Sequence, residues 1–266
     1  MKAPLVKQAS GQRPTPRLGF LSALPLYLAL PVVVIGIWKW ADIAGYIKPY
    51  TMPPPEKIVT TAIEFWKEGA LQNNIAASVI RVGEGFLIAL AGALLLGIGI
   101  GLSKKLDMLT GIIIQILKPI PPIAYIPLAI LWFGIGESSK IFIIVIGAFF
   151  PVLLNTVEGI KNIDRRFIEL TRVYEAPRRR VVTHVILPGA LPFIMAGVRI
   201  GLGNAWICVV AAEMIAATKG VGYMLMDGRN LARPDMVILC MLIIGIFGKC
   251  MDDGLKLFSR SIIRWN

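Results

Sequence analysis

The chain has 266 residues, 56% of them hydrophobic and 17% charged, and a formal net charge of +12. A soluble domain carries about a quarter charged residues, so this composition, with a mean hydropathy of +0.72, excludes an ordinary soluble protein. The basic residues cluster at 2–17, 104–105, 161–180 and 249–264; that is the bias of cytoplasmic loops, and it argues against a nucleic-acid-binding face.

Residues 1–18 are polar, basic and rich in Pro and Gly, and read as a cytoplasmic tail. The remainder, 19–266, reads as one all-α polytopic membrane domain of about six crossings, because apolar runs of roughly 20 residues recur, the length that spans a bilayer core. Strand-period alternation is absent, which argues against a barrel. The first run, 21–40, has no small-residue cleavage site behind it and reads as a span rather than a signal peptide. Next comes PPPEKIVTTAIEFWKEG, a proline stop feeding a short amphipathic helix with Ile58, Ile63 and Trp66 on one face, expected to lie on the membrane surface. Span two covers 79–102. Span three starts near Leu109 and is interrupted by KPIPPIAYIP (118–127), where four prolines remove backbone hydrogen bonds and predict a discontinuous helix. Span four covers 141–157, span five 191–217, and span six 236–257. Between the last two, TKGVGYMLMDGRN reads as a turn or half-helix. Six crossings put both termini in the cytoplasm.

The charged stretch 161–188 separates spans four and five. Asn162 or Asp164 can cap a helix there. Phe167, Leu170 and Tyr174 then form a narrow apolar stripe, with Arg165, Arg166, Glu169 and Arg172 on the remaining surface. Pro177 is expected to stop this helix. Two readings stand open on composition: a loop helix lying against headgroups, with Arg178, Arg179 and Arg180 on anionic lipid, or a docking helix for a cytosolic partner.

Glu169, position 175 six residues on, and V-I-L-P at 185–188 with Pro192 and Gly197 beyond resemble the docking (EAA) loop of ABC-importer permeases. PIPPIAYIPLAILWFGIGESSKIF (119–142), ILPGALPFIMAGVRIGLGNAW (186–206) and VAAEMIAATKGVGYM (210–224) are similar to permeases for taurine and aliphatic sulfonates; nitrate and bicarbonate permeases are more distant members of the group. The resemblance implies a type I importer (MetI-like) fold in the cell inner (plasma) membrane. It implies docking through Phe167, Glu169, Leu170, Arg172, Tyr174, Glu175, Ala176 and Pro177. It also implies two cytosolic ABC ATPases and a periplasmic or lipid-anchored binding protein, with a small organic sulfonate as cargo and nitrate, bicarbonate or another small anion as the alternative. One docking helix per chain and two ATPases imply a homodimer. The chain departs from the family pattern at Glu175, where the family places glycine, and at Leu170 and Thr171, where it places small residues.

The chain contains no G-x-x-x-x-G-K-[ST], so ATP and Mg belong to the partner ATPase and no cofactor is expected here. Gly97, Gly99 and Gly101 imitate part of a dinucleotide fingerprint but lie in an apolar span, and with Gly197 and Gly201 they predict close helix packing. Cys208, Cys240 and Cys250 lack C-x-x-C spacing and read as packing residues, and His184 has no metal or triad partner, which argues against a membrane enzyme. A self-sufficient secondary carrier would need an ion site and an internal repeat, and no repeat is evident. Lys118, about 15 Å into span three, is a candidate contact for an anion in transit; otherwise it snorkels or pairs with Glu84 or Glu213. Pro121, Pro122 and Tyr125 beside it are further pathway candidates, with packing the alternative for Tyr125. Glu213 either lines the pathway or its outer gate, or hydrogen-bonds the TKGVG turn. Arg199 reads as structural.

Overall fold

The computed structural model describes residues 20–46, 48 and 51–262, so the expected tail at 1–18 lies outside the described residues. The chain divides into two units, Met1–Pro55 and Glu56–Asn266. The first contributes α1 (Phe20–Ile43), a 24-residue helix, about 36 Å long, over the first expected span. In the second unit every regular element among the described residues is helical. Four helices there are long and apolar enough to cross a membrane: α3 (Ala70–Leu102), α6 (Glu137–Lys161), a continuous run over Arg178–Ala216, and α11 (Pro234–Ile262). A fifth crossing results if α4 (Lys104–Leu117) and the segment Pro122–Phe133, bent by 87° at the proline cluster, count as one broken span. The break is therefore where the prolines predict it. A 3-10 turn at Pro122–Tyr125 leads into α5 (Ile126–Phe133).

The core is α6, held between α3 and α9 (Leu187–Ala216). Helices in lipid gain no hydrophobic free energy by touching, so close approach through small residues decides which pairs form. On α3, Gly85, Gly97 and Gly101 sit directly against Ile144, Thr156 and Ile160. The constant register means that α3 and α6 run parallel. On α9, Gly197 meets Asn155 and the Pro151 carbonyl, Gly201 meets Val152 and the Ala148 carbonyl, and Gly159 of α6 meets Phe193, which is an antiparallel register. The glycine pairs thus serve packing. Cys208 and Cys240 are buried, Cys208 with its thiol against Gly147, while Cys250 is exposed.

The fifth apolar helix starts earlier than the expected 191. Helix begins at Arg178 as α8 (Arg178–Val181), passes through a π turn at Val182–Ile186 and continues as α9. Pro188 has no N–H for a regular bond to His184, and the backbone adapts by widening the preceding turn, where Leu187 N–H donates to the Val182 carbonyl. α11 joins the bundle through Trp206, whose Nε1–H donates to the Ile244 carbonyl (2.9 Å) and whose ring stacks on Phe247.

The amphipathic helix α2 (Pro55–Lys67) is tied to the start of α11. Ile58 is buried, Thr61 Oγ1 donates to Asp235 Oδ2 (2.7 Å), and Arg233 pairs with Asp235 while lying 5.4 Å from the Phe65 ring centre. Ile63 and Trp66 stay largely exposed beside an apolar cleft against Leu242 and Ile246.

Gly97→Val and Gly201→Val each force branched carbons into contacts where even a Cβ would lie within 2.9 Å of a neighbour. Each is expected to destabilise the detergent-solubilised protein by about 1–3 kcal/mol, read as a lowered melting temperature. Gly111→Ala on α4, with nothing within 4 Å, should leave melting unchanged or slightly raised.

Candidate docking and translocation sites

The stretch after α6 folds into α7 (Arg165–Val173), capped by Asp164, whose Oδ1 accepts from the Arg166 N–H (2.9 Å). Asp164 rather than Asn162 is the cap. Ile168 and Thr171 face the bundle over a cleft of about 530 Å³, whose far wall is formed by Gly101, Leu102 and Ile160 at the ends of α3 and α6. The opposite face is unpartnered: Phe167, Leu170, Val173 and Tyr174 are 58%, 54%, 78% and 81% exposed. Four large apolar side chains side by side on one short helix mark a contact surface rather than ordinary surface scatter. Glu169, Arg172, Glu175 and Pro177 are also exposed, and Ala176 is half-buried.

The end of α7 corrects one expectation. Glu175 has φ 49°, the left-handed conformation that glycine adopts at this point in a helix end. The Ala176 N–H donates to the Thr171 carbonyl (3.0 Å) and the Tyr174 N–H to the Leu170 carbonyl (3.1 Å), so the left-handed stop is retained with a side chain in place of glycine. Pro177 opens the next helix instead of ending this one.

A second site lies where α4 breaks. Lys118 follows the last residue of α4, about 21 Å of helix from the docking end, where Lys161 Nζ is paired with Asp107 (2.6 Å). It lines a cleft of about 360 Å³ with Pro122 from the break, Phe150, Asn155 and Glu158 from α6, and Asn204 from α9. Of the five pathway candidates, Lys118 and Pro122 meet here. Pro121 is exposed beside them, and Tyr125 packs on the cluster of Ile126, Ala129, Ile143, Cys208 and Ala212.

Glu213 lies elsewhere, in a buried ion network at the opposite end of the bundle. Arg81 on α3, 7% exposed, donates to Glu213 Oε1 (2.8 Å), to Glu137 Oε1 (2.8 Å) at the start of α6, and to the Lys219 carbonyl (2.7 Å). Lys140 pairs with Glu137 (2.8 Å). Ser78 Oγ donates to Glu213. The first N–H groups of α10 (Val221–Asn230) and its cap are captured by neighbouring helices: Gly220 N–H by Asn74 Oδ1, Val221 N–H by Ser78 Oγ and Gly222 N–H by Glu213 Oε2. A carboxylate there also suits the positive end of the helix dipole. Gly220 (φ 130°) and Gly222 are needed because a Cβ at either would fall within 2.8 Å of Glu213 or the Val210 carbonyl. Arg81 to Ser103 is 22 residues of helix, about 33 Å, so the network lies one bilayer core away from the docking end.

This arrangement has relatives. Residues 93–264 match the family model described as binding-protein-dependent transport system inner membrane component. The chain belongs to this family. A permease of Escherichia coli K12 named for aliphatic sulfonates transport is 40% identical over 237 residues, covering 89% of this chain and 90% of its own. The taurine transport system permease of the same organism is 36% identical over 239 residues, covering 88% and 87%. The fold is that of the MetNI methionine ABC transporter in inward-facing conformations, with a TM-score of 0.58, 18% identity and coverage of 69% of this chain and 94% of that one. The protein is thus an ABC-permease component of the membrane with a MetI-like all-α fold.

For this permease, sequence reasoning missed Val173, the cleft residues Asn155, Glu158 and Asn204, and the Arg81 network. Asn155 and Glu158 are polar residues three apart on a helix that otherwise reads as oil, and Arg81 stands inside an apolar run; each was a visible signal. The anticipated Glu84 is exposed, and Arg81 is the partner of Glu213.

Two measurements follow from this geometry. Glu175→Gly removes left-handed strain of about 1 kcal/mol, so amide exchange at Ala176 should slow about fivefold, whereas Glu175→Val should speed it. Arg81→Met strands a buried carboxylate and should cost about 3–5 kcal/mol, seen as a large fall in melting temperature; adding Glu213→Gln should recover part of the loss.

Proposed function

We propose that this chain is the membrane subunit of an ATP-driven importer for a small organosulfonate, with two copies forming the pathway. The observation that carries the reading is the unpartnered apolar face of α7, mounted on the ends of α3 and α6 in a family whose members serve binding-protein-dependent transport. Lys104, Lys105, Lys161, Arg166, Arg172 and the three arginines after Pro177 crowd that end, which supports its facing the cytosol, with both termini on the same side.

In this scheme two cytosolic ABC ATPases grip Phe167, Leu170, Val173 and Tyr174, one ATPase per α7, and supply the ATP and Mg chemistry. A periplasmic or lipid-anchored binding protein delivers solute to the end carrying the Arg81 network. ATP binding closes the ATPases, α7 moves with α6, and the bundle shifts between outward and inward openings, a population shift driven by differential partner contacts. The cleft beside Lys118 and Pro122 forms the solute route, with Pro121 and Tyr125 shaping the break and Glu213 bracing the outer end. The names of the relatives support a sulfonate such as taurine as cargo, and Lys118 supplies the positive contact such an anion needs.

Co-purification tests the docking surface. Replacing both Phe167 and Tyr174 with Glu removes two aromatic anchors and should weaken ATPase retention by at least about 100-fold. An ATPase that remains bound to this variant would place the contact elsewhere.

A further inference from the structure

The cleft of about 530 Å³ behind α7 is lined by two kinds of surface. Its floor is apolar, made by Leu102, Ile160, Ile168, Val181, Val182 and Ile186, all buried or half-buried. Arg172 and Arg178 line it as well, both exposed, and neither has a carboxylate within 4.0 Å among the described residues. Glu175 is the one acidic group in the lining, so two cations face one carboxylate there. Arg179 and Arg180 continue the basic run outside the lining. An apolar floor beneath a cationic rim fits an amphipathic anion.

The depth of the cleft narrows what that anion is. Leu102 and Ile160 belong to the last turns of α3 and α6, and Leu102 is 21 residues, about 32 Å of helix, from Arg81. The floor therefore lies at the edge of one hydrocarbon core and the arginines at the level of the lipid phosphates. The cleft also opens on the inner side of α7, away from the exposed Phe167 and Tyr174, so a partner seated on that outer face leaves it unfilled.

We propose that this cleft holds one anionic phospholipid, with its phosphate on Arg172 and Arg178 and the start of an acyl chain on the apolar floor. Basic pockets between helices at this level suit such headgroups. A zwitterionic lipid brings its own cation to the same arginines and gains less. A soluble phosphate leaves the apolar floor uncovered. The lipid backs α7 against α3 and α6, filling space that the chain itself leaves open.

Native mass spectrometry of the detergent-solubilised full chain reads this directly. The chain is offered equal amounts of phosphatidylglycerol and phosphatidylcholine with the same acyl chains. One phosphatidylglycerol per chain should be retained with a preference of roughly 30-fold, the worth of two arginines close to an anionic headgroup. Arg172→Gln with Arg178→Gln should bring the preference below about threefold. Arg179→Gln with Arg180→Gln, the same loss of charge outside the cleft lining, should change it by less than about twofold. Thr171→Trp fills the cleft without altering charge and should abolish retention, whereas Glu175→Gln should strengthen it. Millimolar glycerol 3-phosphate, which carries the anion without the acyl chain, should not displace the lipid. No preference for phosphatidylglycerol, equal losses in the two arginine pairs, unchanged retention in Thr171→Trp, or displacement by glycerol 3-phosphate each overturns the proposal. None of these outcomes touches the importer reading, which stands on the opposite face of α7.

Discussion

The close packing of α6 between α3 and α9 is the constraint on which the molecule depends. Glycine at Gly85, Gly97 and Gly101 on one side, and at Gly197 and Gly201 on the other, brings backbones so near that a single added carbon has no room. In lipid this contact, rather than hydrophobic exclusion, is what makes three apolar helices a defined body. Its consequence is mechanical. α6 carries the α7 segment directly beyond its last residue, provides Phe150, Asn155 and Glu158 to the cleft, and starts at Glu137 in the far ion network. One stiff helix therefore connects the exposed α7 face, the cleft and the opposite end.

The two ends are built by opposite chemistry. At the α7 end, large apolar groups are left uncovered by the chain and basic residues surround them, the pattern of a contact surface rather than of ordinary surface scatter. At the far end, Arg81, Lys140 and Glu213 are drawn inside and answered by one another, by the exposed Glu137, by Ser78 and by the Gly222 N–H. A network with all its members satisfied is stiff. It ties α3, α6, α9 and α10 together, so displacement of α6 by a partner would carry that end along instead of dissipating within it.

The outline of this fold was legible in the sequence because membrane helices announce themselves by length and apolarity, and four prolines at 119–127 announce the break. The glycine pairs were legible as packing for the same reason: nothing else explains small residues four apart in an apolar run. What could not be read was which distant groups meet. Of the two readings open for Glu213, the hydrogen bond to the TKGVG turn is present at the Gly222 N–H, but its ionic partner Arg81, 132 positions earlier, could not be read. Glu175 looked like a departure from a glycine-terminated helix, yet the backbone keeps the left-handed conformation, since hydrogen bonds at Tyr174 and Ala176 dictate φ there more strongly than the side chain does. Pro177 has a strong local signal for stopping a helix, and tertiary context used it to start one.

The central claim is that α7 is a handle worked from the cytosol by an ATPase that this polypeptide lacks. Solute accumulation in vesicles reconstituted with the chain, its binding protein and labelled 2-aminoethanesulfonate tests it most directly. The account predicts accumulation against a gradient only when the ABC ATPase and ATP are both present. Accumulation by the chain with no nucleotide-hydrolysing partner would contradict it.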